Sequence, residues 1–350
     1  MTDFTPDYNN ILNAAYRIRT KRLPLYEHII DVSIMEKVLD EDFSGLYYGD
    51  DSERKQFFKK YIQFFKNMGY DTVSFECLIT SIMPGSGALY FGKPGSIKNR
   101  KDFESYPWDD IPTLFKDKYH DDYELLSEEM PQEMKAVGGP GNGIFECVQD
   151  IVGLQNLCMI SADDPDLYKD LFFRMGEVLH SIWKWFLEEF SSAFVICRFG
   201  DDLGFKSSTI LKPEDIKKLV IPQYARIVNL IHSYNKPFLL HSCGNIFSIM
   251  DDLINVVRID AKHSNEDVIA PFLKWQKIYG KQIALFGGAD MSFLCSEKHE
   301  TEIKKYIRDI LKYSCKYPGF AFGTGNSVPD YMPVENYLTM IETVREFRGE

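Results

Sequence analysis

The 350-residue chain has no apolar run approaching the roughly 20 uninterrupted residues that a membrane-spanning helix needs. It also lacks an excess of positive charge, since 40 lysines and arginines face 52 aspartates and glutamates, for a net charge of -12. That balance argues against nucleic acid and anionic membrane surfaces as partners, because both reward basic patches. The opening segment, MTDFTPDYNN, is acidic and polar, so no signal peptide is expected. The seven cysteines are odd in number and several sit in apolar runs (Cys158, Cys197). A secreted disulfide framework is thereby disfavoured, and a cytoplasmic protein with free thiols is expected. No internal repeat, low-complexity tract or Pro/Ser-rich linker divides the sequence. One domain over residues 1–350 is therefore expected, with residues 1–22 as an N-terminal helical extension.

What is present is an ordinary globular composition, 45% hydrophobic and 26% charged. A chain of this length buries a substantial core unaided, so a metal, if bound, serves chemistry rather than folding. From residue 135 onward, short β-prone runs alternate with helical patterns: KAVGGPG, AFVICRFGDD, PFLLH, VVRIDAKH, QIALFGG and GFAFGTGN, each followed by a helix. That alternation indicates a parallel sheet with helical crossovers. With DTVSFECLIT (71–80) and a weaker run, LPLYEHII (23–30), the strands number the eight of a (β/α)8 TIM barrel. MPGSGALYFGKPGS (83–96) holds two Gly/Pro turns and predicts a hairpin insertion. A doubly wound sheet is the competing architecture, but no G-x-G-x-x-G fingerprint opens its first unit.

In a barrel, chemistry gathers where strands end. Those positions carry Glu27 and His28, Glu76 and Cys77, Glu146 nearby, Arg198 with Asp201 and Asp202, His241 and Cys243, Lys262 and His263, Gly288, and Asn326. His241-x-Cys243 is the sharpest of these features. Residues two apart on an extended chain point to the same side, so imidazole and thiolate can share a cation. Zinc accepts such ligands, whereas magnesium and calcium do not favour them. The bland reading is a hydrogen-bonded core histidine beside a free cysteine. Asp201 or Asp202 suits a general acid or a partner of a ligating histidine, or else a helix cap with an ion pair to Arg198. Glu146 suits either a site or the first turn of a helix. Glu76 ends an apolar run, where a carboxylate is costly without a partner, so a site role is favoured. Glu27 and His28 read as solvated or structural. The glycines of GGAD, including Gly288, and of GTGN, ending at Asn326, admit a ligand close to the backbone or simply form tight turns.

Taken together, HSCGNI, IDAKHS, IALFGGAD, GFAFGTGNSVP and VENYLTMIETVREF resemble the uroporphyrinogen decarboxylase superfamily. The resemblance is best over residues 190–348. It implies a (β/α)8 barrel and one of two activities, decarboxylation or zinc-dependent methyl transfer to or from a corrinoid. True uroporphyrinogen decarboxylases carry an arginine-rich R-Q-A-G-R-Y segment near the first strand. Here the corresponding stretch is LPLYEHIIDVSIMEKV, without arginine, which suits a macrocycle bearing eight carboxylates poorly. The methyltransferase branch is similar to this chain in its His-x-Cys, carried over as His241 and Cys243. Its thiol-methylating members place a second cysteine where Asn326 stands. The resemblance therefore implies the methyl-donor side of such systems: a metal-assisted methyltransferase, O-demethylating a small substrate such as a methoxylated aromatic. It implies zinc on His241 and Cys243 with His263 or Glu76 as further ligand, a separate corrinoid-binding protein as partner, and Asp202, Asp201 and Arg198 in catalysis. Glu76, Glu146, Gly288 and Asn326 would contact substrate. A decarboxylase of the porphyrin type is the alternative, and a homo-oligomer is left open.

Overall fold

The computed structural model describes residues 4–350, so the first three residues of the expected N-terminal extension lie outside it. Seven parallel strands form one sheet in sequence order: β1 (Thr72–Leu78), β2 (Lys135–Gly141), β3 (Phe194–Gly200), β4 (Phe238–His241), β5 (Ala261–His263), β6 (Ala284–Ala289) and β7 (Phe320–Thr324). Strand residues alternate between two environments, as a period of two requires. Phe238, Leu240, Leu285, Phe320 and Phe322 pack outward with the helices. Leu239, Ala261, Ala284, Phe286 and Ala321 gather in a second, inner cluster with Val137 and Ile196. Side chains from β2 to β7 meet in that one cluster only because the sheet curls.

The inner cluster is finished by helix α1 (Asn9–Ala15), whose Ile11, Ala14 and Ala15 are buried in it. Hydrogen bonds from Asp7 N to Asp71 Oδ1 (2.8 Å) and from Tyr8 N to Glu133 O (3.1 Å) hold it beside the N-terminal ends of β1 and β2. The helix is shorter than the expected 8–22: Arg17 turns left-handed, with φ at 55°, and breaks the ladder.

The eighth strand is where the barrel expectation needs correction. Residues 23–30 make only two isolated parallel bridges, Leu25 to Phe322 and Ile30 to Val328. Pro24 has no N–H to offer a ladder. On the β1 side a side chain does the joining, since the Ser74 hydroxyl donates to the carbonyls of Glu27 and His28 (2.5 and 2.9 Å). The fold is thus a curled, seven-stranded α/β sheet whose eighth position holds an extended segment rather than a regular strand. The predicted hairpin at 83–96 is also absent; the segment is an irregular loop. Its amides are spent elsewhere: Gly87 and Leu89 donate to the Asp150 carboxylate, and Ile97 N to Ile151 O.

The long helix Pro165–Phe190 forms as expected, capped by Asp164, which accepts from Leu167 N at 2.9 Å. Glu146 lies in the first turn of helix Ile144–Val152, and a further helix, Leu154–Asp163, leads to the long one. No described helix is long and apolar enough to cross a membrane.

Candidate functional site

Parallel register sets His241 beside His263 at the ends of β4 and β5. Both alternate inward, while Lys262 between Ala261 and His263 points outward, its ammonium 4.3 Å from the centre of the Trp275 ring. The two imidazoles meet Nδ1 to Nδ1 at 2.8 Å, and His263 Nε2 lies 2.9 Å from the Thr324 carbonyl oxygen. A carbonyl only accepts, so His263 carries its proton on Nε2. Its Nδ1 is then a lone pair and must receive the proton of His241 Nδ1. Hence His241 Nε2 is left as a lone pair. Burial pushes both titrations down, that of His241 well below the usual range and that of His263 to about 3, so both rings are neutral at ordinary pH.

That lone pair faces Cys243 Sγ at 3.4 Å and Asp202 Oδ1 at 3.9 Å. Ligand atoms of Asp202, His241 and Cys243 all lie within 4.8 Å of one another. Cys243 Sγ also receives two donors, Asn326 Nδ2 at 3.3 Å and the Ser264 hydroxyl at 3.5 Å. The Cys243 amide donates to Asp202 Oδ1 at 2.9 Å, which locks the loops after β3 and β4 together. Those loops touch backbone to backbone. A Cβ on Gly244, whose φ is +80°, would fall 2.1 Å from the carbonyl carbon of Gly204. One nitrogen, one sulfur and one carboxylate oxygen is a donor set that suits zinc, with a position left for substrate.

His263, expected as a ligand, is hydrogen-bonded at both ring nitrogens and so fixes the His241 tautomer, while His28, His241 and His263 also bring ligand atoms within 4.8 Å of one another. Asp202 is the third member of the group around Cys243. Arg198 is likewise spent inside the protein. Its Nη2 donates to Glu76 Oε2 at 2.8 Å, and its Nη1 reaches Tyr26 OH, the His28 carbonyl and Ser74 Oγ at 2.8–3.0 Å. The guanidinium therefore pins β3 to β1 and to the eighth segment, and it positions Glu76. Asp201 faces away from the cluster and caps Ile144–Val152, accepting from Phe145 N and Glu146 N (2.9 and 2.8 Å) and from the Tyr224 hydroxyl. Burial raises its carboxyl to about 7.

Glu146 is buried among carboxylates. Its Oε2 accepts from Asn142 at 2.9 Å and its Oε1 from Asp202 N at 3.3 Å. Burial, then Asp201 and Asp202, raise its titration well above the usual range. Gly288 is bound by the Asn265 side chain, its N–H 3.0 Å from Oδ1, and its α-carbon faces Ile310.

His28, which reads as solvated or structural in the sequence, is buried and stacked on His241, ring centres 3.6 Å apart. Its Nε2 lies 3.9 Å from Glu76 Oε1, and its Nδ1 is buried without a partner. The signal was there in the strand-end position of His28, but the eighth segment's irregularity hid which way the ring turns. A cavity of about 460 Å³ adjoins at this point, with His28, Glu76 and Arg198 at one end. Tyr47, Tyr48, Phe57, Tyr61, Phe75 and Tyr119 are the aromatic residues of its wall. The rings interlock, as in the 5.2 Å contact of Tyr47 with Phe57 and the T-shaped approach of Tyr61 to Phe75.

Residues 58–347 match the family model described as "Uroporphyrinogen decarboxylase (URO-D)". Two curated uroporphyrinogen decarboxylases, from Geotalea uraniireducens (strain Rf4) and Geobacter metallireducens, are similar at 25% identity over 141 residues and 23% over 135. Each alignment spans 39% of this chain and only 38% of the relative's length. A solved methyltransferase from Methanosarcina mazei superposes with a TM-score of 0.71 at 15% identity, covering 98% of this chain and 99% of that one. That likeness is one of fold.

Proposed function

The chain belongs to the uroporphyrinogen decarboxylase family, and from that premise we propose that it is a methyltransferase moving a methyl group between a small methylated substrate and a corrinoid carried by a partner protein. The observation that carries this reading is the convergence of His241 Nε2, Cys243 Sγ and Asp202 Oδ1, with His241 stacked on His28, a lining residue of the aromatic cavity. His241, Cys243 and Asp202 would hold zinc. A bound zinc supplies Lewis acidity that meets negative charge on the atom from which the methyl group departs.

The chain's own residues do the rest. The ring wall of Tyr47, Phe57, Tyr61 and Phe75 excludes water and aligns a flat apolar substrate, a methoxylated aromatic being the class that fits. His263 keeps the His241 lone pair turned toward the cluster, and Asn326 and Ser264 stabilise negative charge on sulfur. The name of the curated relatives suggests decarboxylation of a polycarboxylate. Against that stands the cavity's only cation among the described residues, Arg198, which is fully engaged by Glu76 and its neighbours.

The test mixes the purified protein with a cob(I) corrinoid carrier and a panel of methoxylated aromatics, with metal content measured on the same preparation. Stoichiometric zinc and conversion of the cob(I) absorbance to the methylated form are expected. Metal-free protein that turns over any substrate at full rate sinks the reading.

A further inference from the structure

At the opposite end of the sheet from the cluster, where strands begin, lies a two-lobed cleft. One lobe, about 500 Å³, is formed around Arg17, Arg19, Lys316 and Phe347; the other, about 700 Å³, around Tyr16, Lys281, Tyr313 and Tyr317. Arg17, Lys316, Tyr317 and Pro318 belong to both. Four cations therefore surround one concavity, and no aspartate or glutamate lines either lobe. In a chain of net charge -12, such segregation is opposite to the average surface.

None of the four makes an ion pair among the described residues, although the molecule pairs many of its other lysines and arginines, Arg22, Arg54, Arg100 and Arg174 among them. Arg17 is also held in place. Its guanidinium donates to the Lys281 carbonyl at 2.5 Å, and its stem lies against Gly319, where a Cβ would come within 2.7 Å of Arg17 Cγ. Basic residues beyond helix ends do answer the helix dipole. That role asks for neither a shared hollow nor the exclusion of acids, and both are found here.

We infer that this cleft is a binding site for a small polyphosphorylated ligand with an aromatic ring, of the nucleoside di- or triphosphate class. The cationic saddle of Arg17, Arg19 and Lys316 takes the phosphates, since convergent guanidinium and ammonium groups bind such oxygens by charge-assisted hydrogen bonds. Tyr313 and Tyr317, with ring centres 6.1 Å apart and tilted by 41°, line the second lobe; the Lys316 ammonium lies 5.1 Å from the centre of the Tyr313 ring, so Tyr317 is the ring offered to the ligand's own. The volume of each lobe is that of a small-molecule site. The inference is independent of the chemistry assigned to the other end of the sheet.

The test is calorimetric titration of the full chain with ATP, inorganic tripolyphosphate and adenosine at near-physiological salt. ATP is expected to bind saturably, tripolyphosphate more weakly, and adenosine not measurably. The exposed double variant Arg19→Ala/Lys316→Ala is expected to lose roughly tenfold or more in ATP affinity, about 1.4 kcal/mol. Lys101→Ala, remote from the cleft, is expected to bind as the parent does, and melting curves confirm that both variants fold. No saturable ATP binding by the parent, or equal affinity in the double variant, overturns the site. Tripolyphosphate binding as tightly as ATP overturns the role given to Tyr317.

Discussion

His263 and His241 share one hydrogen bond, Nδ1 to Nδ1 at 2.8 Å, and it decides which nitrogen of His241 is free. Because Thr324 O claims the other nitrogen of His263, the pair has a single consistent arrangement of protons. Replacing His263 by alanine releases that constraint. Cobalt(II) affinity is expected to fall by roughly 10- to 100-fold, as for other orienting partners of metal-bound histidine. Titration followed at the sulfur-to-cobalt absorption band reads this directly. Unchanged affinity in His263→Ala would show that His241 needs no such partner, whereas a parent protein that binds no cobalt would count against the metal site itself.

Asn326 stands 3.3 Å from Cys243 Sγ, within reach of a shared cation. Asn326→Cys is expected to add a thiolate donor and to tighten zinc binding by at least roughly tenfold, about 1.4 kcal/mol. Competition against a chromophoric chelator measures it. Cys243→Ser is expected to weaken zinc binding and to abolish the sulfur-to-cobalt band.

Arg198 and Glu76 form a buried ion pair, with side chains 0% and 6% exposed. Arg198→Met strands the carboxylate of Glu76 and also leaves the Ser74 and Tyr26 hydroxyls without their cationic donor. A loss of about 3–5 kcal/mol is expected, read from urea unfolding. A change below 1 kcal/mol, on the scale of an exposed pair, would contradict the role assigned here.

Glu27 is buried on the eighth segment, with Thr324 N donating to its carboxyl at 3.0 Å. Burial raises its titration from 4.5 to about 8. The sign follows from linkage: between those values the unfolded chain has lost the proton while the folded one keeps it. Stability therefore declines as pH rises from 4.5 to 8, by up to about 1.4 kcal/mol per pH unit. Glu27→Gln mimics the protonated form and is expected to remove this share of the decline. Melting temperatures at pH 5 and pH 8 compare the two proteins; an identical drop in both would refute the assignment.

Tyr48 is an exposed ring (85%) at the lining of the aromatic cavity, while Phe57 and Tyr61 are buried in its wall. Tyr48→Ala is expected to raise KM for an aromatic substrate and leave kcat nearly unchanged, since it removes contact area common to substrate and transition state. Steady-state kinetics on whichever methoxylated compound turns over provides the readout.

The sequence by itself determined the alternation of strand and helix, the absence of a spanning helix, and the pairing of His241 with Cys243 on one side of a strand end. Each follows from local periodicity: two residues apart on extended chain, or apolar positions three and four apart on a helix. Tertiary structure alone decided which strand ends face one another and what each polar group there is doing. Arg198, Asp201 and Gly288 occupy site-like positions in the sequence, yet hydrogen bonds with segments 55 to 172 residues away, or with the facing Asn265, hold them. His28 reads only as solvated or structural because its segment lacks the regular pairing that fixes side-chain direction; its stacking on His241 shows which way the ring turns. Asp202 entered the cluster through the Cys243 amide, a contact 41 residues apart in sequence. Local pattern governs what a residue can do. The partners that leave a lone pair free, or consume it, are set by long-range packing.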